Sequence, residues 1–121
     1  MTDVDACETD EAAANAVNGM GVKHLALAAR SLSIPMVHFS TDYVFDGNNK
    51  EGYPEDAPVH PINAYGRSKA LGERFLFEYA PQSDLIRTSY LFGRGGTNIV
   101  ETFLMLGKTK PELAILVDQY S

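Results

Sequence analysis

A chain of 121 residues is long enough for one domain with a single hydrophobic core. With 45% apolar and 21% charged residues, its composition is that of a soluble globular protein and not of a disordered chain. The formal net charge of −6, with Lys and Arg scattered along the chain, argues against a general nucleic-acid binder or a protein held on anionic lipid, because both need clustered cations.

Targeting and redox signals favour a cytoplasmic setting. No apolar run approaches the ~20 residues of a membrane-spanning helix. The acidic segment MTDVDACETDEAA has the character of neither a signal peptide nor a transit peptide. The single cysteine, Cys7, cannot form an internal disulfide, which favours a reducing compartment. Its acidic neighbours disfavour the thiolate, so we do not expect Cys7 to be a nucleophile.

The first predicted element is one long helix, Glu8–Leu32, with Thr9 or Asp10 as its N-cap. Gly19 and Gly21 weaken a helix interior, so we expect both to mark close packing against a neighbouring backbone. The apolar residues recur every three to five positions and predict one buried stripe: Ala13, Val17, Met20, Leu25, Ala28 and Leu32.

A short strand and a long loop follow. The mostly apolar run Ile34–Ser40 predicts a parallel strand covered on both faces. The segment Phe45–Pro61 is dense in Gly, Pro, Asn and Asp and has no period, which predicts a surface loop. Loops of that length in compact domains tend to be functional.

The rest of the chain alternates between helix and strand. The pattern predicts a helix at Asn63–Ala80, a strand at Asp84–Ser89, a helix at Thr97–Lys108 and a strand at Glu112–Val117. Regular alternation implies right-handed crossovers, and hence an α/β fold with a partial Rossmann-like parallel sheet and flanking helices. Three strands make a thin sheet, and no strand precedes the first helix. We therefore expect residues 1–121 to be one incomplete domain, an interior piece of a larger protein.

Polar side chains gather where the predicted strands end. Thr41 follows the first strand and Tyr90 follows the second, and open parallel sheets bind ligands at the carboxyl ends of their strands. Tyr65 opens the next helix, and Lys69 lies four residues later on the same helical face.

The Tyr65–Lys69 pair has a chemical use. A free phenol has a pKa of ~10, and a lysine cation within ~4–6 Å favours the phenolate and lowers that pKa. Tyr65 would then be a general acid or base near its working pH. A hydroxyl from Thr41 or Ser40 could orient the substrate oxygen that receives the proton. Such pairs are common by chance, but the adjoining strand end supports a catalytic interpretation.

Four stretches, in order and suitably spaced, resemble the central segment of the extended short-chain dehydrogenase/reductases, and within them the dTDP-4-dehydrorhamnose reductase family. They are VHFSTDYVFDG, PINAYGRSKALGE, IRTSYLFGRGGTN and VDQ. The resemblance covers nearly the whole chain. It implies reduction of the 4-keto group of dTDP-4-dehydro-L-rhamnose with NADPH or NADH.

The resemblance also implies residue roles. Tyr65 would donate the proton to the C4 keto oxygen. Lys69 would lower the pKa of Tyr65 and bind the nicotinamide ribose, with Ser40 also on the cofactor side. Thr41 would bind the reacting oxygen. Asn18, in VNGMGV, resembles a helix asparagine that joins the proton relay, although simple packing explains it equally well.

The sugar side of the site would be formed by Asp42, Tyr43 and Tyr90. Tyr90 stands where the family usually has a tryptophan against the sugar. The alternative for Asp42 is hydrogen bonding to backbone amides in a turn, and for the tyrosines ordinary half-burial. The histidines show no metal-ligand spacing and we predict no metal site in this chain, although the family sometimes uses Mg²⁺.

The family binds the dinucleotide pyrophosphate on a glycine-rich loop that is absent from residues 1–121. We therefore expect this piece alone to be inactive and to bind NAD(P)H weakly at most. An unpaired sheet edge makes a homodimer one expected outcome. Two other functions stay open: a nucleotide-sugar epimerase or dehydratase of the same superfamily, and a non-catalytic subunit resembling the regulatory β subunit of methionine adenosyltransferase.

Overall fold

The computed structural model describes residues 1–96 and 98–114. In that part of the chain, no helix is long and apolar enough to cross a membrane. The predicted strand Glu112–Val117 falls mostly outside the described residues. The elements in chain order are helices α1 (Val4–Thr9) and α2 (Glu11–Ala14), a π-helical segment (Asn15–Met20), α3 (Gly21–Leu32), strand β1 (Val37–Thr41), a 3-10 turn (Asp42–Val44), α4 (Ala64–Tyr79), β2 (Asp84–Thr88) and α5 (Ile99–Thr109).

Strands β1 and β2 form a two-stranded parallel sheet, as the helix–strand alternation predicted. The register runs from Val37 opposite Asp84 to Thr41 opposite Thr88, so both strands end at the same edge. β1 begins three residues later than predicted. The reason is Pro35, which has no N–H to give to the ladder.

The prediction of a single long N-terminal helix was wrong in detail. The chain becomes helical at Val4, and Asp10, with φ −140° and ψ 72°, interrupts it between α1 and α2. The Asp10 carboxylate accepts a hydrogen bond of 2.9 Å from the Ala13 N–H, so Asp10 is the N-cap of α2. The π-helical segment Asn15–Met20 then precedes α3, and such segments often occur at functional sites.

The face that this region buries was also predicted wrongly. Val17 is 55% exposed and Leu25 is 60% exposed, whereas the buried positions of α3 are Val22, Ala26 and Ala29. The buried residues are small because the π-helical segment and α3 pack closely on α4. The wide π-turn also shifts the phase of the buried face, which a constant period does not anticipate.

The two glycines of this region differ. A Cβ on Gly19 would lie 2.5 Å from Leu71 Cδ2, so the expected close packing is confirmed there, although the neighbour is a side chain. A Cβ on Gly21 would meet only the Ala16 carbonyl oxygen at 3.8 Å, an ordinary contact. The expectation for Gly21 was therefore wrong.

Helix α4 matches its predicted span to within one residue at each end and is the central support of the fold. It contacts the π-helical segment, α3 and β1. Leu76 is fully buried in a cluster with Val22, Ala26 and Ala80. The start of α4 is fixed by Asn63, whose side-chain oxygen accepts a 2.7 Å hydrogen bond from the Gly66 N–H.

Replacing Asn63 by alanine is expected to lower the free energy of unfolding by about 1 kcal/mol, within the range of lost N-caps. Urea denaturation of the full-length gene product measures this loss. Asn63→Ser is the matched control, because serine also caps helices, and its stability should stay near that of the wild type. Equal losses in both variants would contradict a capping role.

One face of the sheet is open, contrary to the expectation that β1 would be covered on both faces. Val37 and Phe39 of β1 are 54% and 56% exposed, and Ile86 of β2, which pairs with Phe39, is 42% exposed. His38 and Ser40 alternate with them and point toward α4. Within the described part of the chain, helices therefore cover only that second face.

Candidate active site

A cleft of about 230 Å³ opens at the carboxyl edge shared by β1 and β2. It contains six of the eight residues that the sequence singled out: Ser40, Thr41, Asp42, Tyr43, Tyr65 and Tyr90. The remaining lining residues are Thr2, Val4, Thr88, Ser89 and Leu91. Lys69 and Asn18 are not among the lining residues. The strand ends and the start of α4 thus meet at one place.

Thr41 organises the floor of the cleft. Its hydroxyl donates to the Asp42 carboxylate at 3.0 Å and accepts from the Tyr43 N–H at 3.2 Å, which starts the 3-10 turn after β1. The Tyr43 ring then meets the Tyr65 ring edge-on, with centroids 5.7 Å apart. The alternative interpretation of Asp42, a carboxylate bonded to turn amides, is not what the structure has, since its partner is the Thr41 hydroxyl.

The pKa of Tyr65 is shifted in the direction opposite to the prediction. Burial raises the pKa of Tyr65 above its ordinary value, and the Asp42 carboxylate raises it further. A hydrogen bond with the Thr41 side chain works in the opposite direction without overcoming burial. The expectation that the pKa of this phenol is lowered was therefore wrong. Tyr65 holds its proton firmly at neutral pH, as a proton donor must before it reacts.

Lys69 lies behind the cleft and not in its lining. Its Nζ donates a 2.7 Å hydrogen bond to the Phe39 carbonyl oxygen of β1. Burial lowers the pKa of Lys69, and the Glu73 carboxylate one turn further along α4 opposes that lowering. An ammonium group has three N–H donors, so this contact leaves further donors for a ligand.

Asn18 is buried, but its contacts are not those of a relay to the phenol. Its Nδ2 donates to the Ser68 hydroxyl at 3.0 Å and to the Met1 carbonyl at 2.9 Å, and its Oδ1 accepts from the Met1 ammonium at 3.0 Å. The Ser68 hydroxyl in turn donates to the Tyr65 carbonyl oxygen at 2.7 Å. Asn18 is thus connected to the backbone of Tyr65 and not, among the described contacts, to its hydroxyl.

Ser40 carries an unused hydrogen-bonding group at the cleft. The residue is 5% exposed, and its hydroxyl has no hydrogen-bond partner among the described residues. A buried hydroxyl without a partner is costly, which makes this atom a natural contact for a polar ligand group.

Tyr90 forms an exposed side of the cleft mouth. It is 62% exposed and has a φ of 41°, in the left-handed region that is rare for a bulky residue. Strained backbone of this kind tends to occur where a ligand contact requires it. Asn98, which follows β2 and the glycine-rich turn, does not line this cleft; its side chain caps α5 by accepting from the Glu101 N–H.

Metal ligation and cysteine chemistry find no support in this region. In residues 1–96 and 98–114, no group of three or more His, Cys, Asp or Glu side chains could hold a metal ion. Cys7 is fully buried against Ala14 and Ala64, and burial raises the pKa of its thiol.

The environment of His38 predicts that the stability of the protein depends on pH. Burial, and secondarily the Lys69 cation, lower its pKa below the ordinary value near 6.5. The unfolded chain therefore binds more protons between the folded-state pKa and pH 6.5, so stability falls as the pH drops through that window. Urea denaturation between pH 5 and 8 should show a shallower fall for His38→Gln, while His24→Gln, at an exposed position of α3, should follow the wild type.

Sequence reasoning missed part of the cleft. Thr88 ends β2 and Ser89 follows it, both with hydroxyls, and the rule that located Thr41 could also have located them. Thr2 and Val4 reach the cleft from the N-terminal segment, and no local pattern indicates that. The buried ion pair between Arg87 and Glu73 was also missed, because 14 residues separate the two in the sequence.

The chain has relatives over nearly all of its length. It is 44% identical over 119 residues to the spore coat polysaccharide biosynthesis protein SpsK of Bacillus subtilis, and 44% identical over 118 residues to the dTDP-4-dehydrorhamnose reductase of Aggregatibacter actinomycetemcomitans. Each alignment covers 98% of this chain, and 42% and 40% of the respective relative. The chain therefore spans about two fifths of the length of these proteins.

Comparison with solved structures identifies the same kind of relative. A crystal structure of a dTDP-4-dehydrorhamnose reductase from Clostridium acetobutylicum superposes with a TM-score of 0.88 at 45% identity, over 93% of this chain and 40% of the other. The dTDP-4-dehydrorhamnose reductase of Bacillus anthracis in complex with NADP also superposes with a TM-score of 0.88, at 40% identity and the same coverage. The expected α/β, Rossmann-like fold class is confirmed. The sequence profile of the RmlD substrate binding domain matches residues 1–121, and the chain belongs to that family.

Proposed function

We propose that the protein containing these residues reduces the 4-keto group of dTDP-4-dehydro-L-rhamnose to give dTDP-L-rhamnose. The observation that carries the proposal is the convergence of Ser40, Thr41 and Tyr65 in one cleft at the carboxyl edge of a parallel sheet. Relatives named as dTDP-4-dehydrorhamnose reductases support the choice of substrate. We infer that residues 1–121 supply the catalytic part of an NAD(P)-binding domain.

In this proposal, Tyr65 transfers its phenolic proton to the C4 oxygen of the sugar. A bound NADPH or NADH supplies the hydride that goes to C4, so the carbonyl becomes a secondary alcohol. The Thr41 hydroxyl, beside both Tyr65 and Asp42, orients the same oxygen. The phenolate left on Tyr65 regains a proton from solvent before the next turnover.

Lys69 is the proposed electrostatic partner of the phenolate that forms on Tyr65, where it would oppose the effect of burial. Its cation favours the charge that forms on Tyr65 as the proton leaves, and its remaining N–H donors suit the hydroxyls of a nicotinamide ribose. The Ser40 hydroxyl is the second contact on the cofactor side. Asn18 would support the site through Ser68, by fixing the first turn of α4.

Asp42, Tyr43 and Tyr90 are the proposed sugar contacts. Asp42 offers a carboxylate to sugar hydroxyls, and Tyr43 walls the cleft beside Tyr65. The exposed ring of Tyr90 at the mouth is suited to packing on the sugar face. We expect residues 1–121 without further chain to be inactive, and the open sheet face to make self-association into a homodimer a feature to measure.

The test is turnover by the full-length gene product. NADPH or NADH oxidation is followed at 340 nm with dTDP-4-dehydro-L-rhamnose, and the product is identified as dTDP-L-rhamnose. Substrate conversion without net oxidation of the nucleotide would favour the epimerase or dehydratase alternative. If the full-length protein shows no conversion and no oxidation but binds a partner protein tightly, the proposal is overturned in favour of a regulatory subunit.

A further inference from the structure

Arg87 joins three separate parts of the structure. Its Nε and Nη2 donate to the two carboxylate oxygens of Glu73 on α4, at 3.0 Å and 2.8 Å. Its Nη1 donates to the Glu55 carbonyl oxygen at 3.1 Å. Its guanidinium carbon lies 5.0 Å from the centroid of the Phe45 ring. One side chain on β2 thus holds α4 and both halves of the 45–61 loop.

The 45–61 loop leaves the cleft and returns to it. It follows Tyr43 and leads to Tyr65, both of which line the cleft. Within the loop, the Phe45 and Tyr53 rings stack with centroids 4.2 Å apart. The Val44 carbonyl accepts a 2.7 Å hydrogen bond from the His60 N–H, which brings the two ends of the loop together.

Glu73 connects this arrangement to the catalytic face of α4. Tyr65, Lys69 and Glu73 lie at successive spacings of four on that helix and share one face. Glu73 is 4% exposed, so its carboxylate is buried and both of its oxygens accept from Arg87. A buried carboxylate with a two-point partner is rigid, because losing the partner would leave an uncompensated charge.

We propose that Arg87 and Glu73 are positioning residues for the reaction at Tyr65, holding the 45–61 loop and the Lys69 face of α4 in the geometry of the cleft. This inference rests on the proposed function only for its kinetic test; its structural test does not depend on that function. Among the described residues, the titratable groups that interact electrostatically with Lys69 are Glu73 on α4 and His38 on β1, and Glu73 is the carboxylate of the two.

The structural arm of the test needs no substrate. In the full-length gene product, Arg87→Lys keeps the charge but loses the planar two-point contact and the reach to Glu55. Amide hydrogen exchange of residues 45–61 should become at least about tenfold faster, because local opening then becomes easier. Arg67→Lys is the matched control: Arg67 makes the same two-point contact with Glu11, at 2.8 Å and 2.9 Å, away from the cleft.

The kinetic arm uses the reductase assay. In Arg87→Lys we expect kcat/KM for the sugar nucleotide to fall by on the order of 100-fold, the cost of misplacing reacting groups by about 1 Å. Arg67→Lys should keep wild-type values. Glu73→Gln, which conserves shape, should shift the basic limb of the kcat pH profile to lower pH, because the carboxylate favours the Lys69 cation. A merely structural role would lower activity without moving that limb.

The outcomes separate the two proposals. Unchanged loop exchange in Arg87→Lys would overturn the positioning role, whether or not the wild type turns over the sugar. Faster loop exchange in a wild type that lacks reductase activity would overturn the proposed function and leave the loop contact standing. An unmoved pH profile in a folded Glu73→Gln variant would remove Lys69 from the inference.

Discussion

Replacing Tyr65 by phenylalanine in the full-length protein is expected to lower kcat by about 10²- to 10⁴-fold, the usual contribution of a general acid. The phenyl ring keeps the edge-on contact with Tyr43, so the fold and the cleft should persist. KM for the sugar nucleotide should change by less than about threefold, because the lost proton transfer acts in the transition state and not in binding.

The measurement is steady-state kinetics with NADPH and the 4-keto sugar, beside Tyr43→Phe as the matched control. Tyr43 lines the same cleft, but its hydroxyl has no assigned proton transfer, so that variant should keep kcat within about tenfold of the wild type. A Tyr65→Phe enzyme with near-normal kcat would show that another group delivers the proton. Equal losses in both variants would point to the packing of the two rings.

A large loss of stability is expected for Gly72→Ala in the middle of α4. A Cβ at this position would overlap the Asn18 carbonyl oxygen and lie 3.1 Å from Val22 Cγ2. The first neighbour is backbone, so α4 must move away from the π-helical segment. We expect the free energy of unfolding to fall by about 3 kcal/mol, at the upper end for overpacked cores.

Gly107→Ala in α5 is the control for this substitution. A Cβ on Gly107 meets nothing within 4 Å, so alanine should gain about 1 kcal/mol from its better helix propensity. Chemical denaturation of the full-length protein should therefore move in opposite directions for the two variants. If Gly72→Ala were as stable as the wild type, the helices could not be in such close contact.

The sequence predicted best where the signal is local. The start of α4 near Asn63, Tyr65 in its first turn and Thr41 at the end of β1 follow from short patterns, and together they locate the cleft. The buried face of the N-terminal helices was predicted wrongly because large apolar residues were taken to mark the core. Close helix packing instead selects small residues, such as Ala26 and Gly72, and leaves Leu25 exposed.

Properties that depend on distant contacts could not be predicted from short patterns. The direction of the Tyr65 pKa shift was missed because burial outweighs the opposite effect of the hydrogen bond between Tyr65 and the Thr41 side chain. In the sequence, Arg87 and Glu73 are two of many scattered charged residues, and no short pattern pairs them. The meaning of the pair appears only when β2 and α4 are packed together, since burial makes an ion pair rigid.

The π-helical segment has a consequence for how this chain can evolve. An extra residue in one helical turn sets the rotation of everything before it, and deleting one would turn α1 and α2 by about 100° relative to α3. Glu8, which accepts a hydrogen bond from the Ala64 N–H, and Glu11, which pairs with Arg67, would then face away from α4. Apart from the buried Asn18 and Gly19, residues 15–20 should thus tolerate replacement but no change in number, whereas the exposed turn around residues 47–52 has no such constraint on its length.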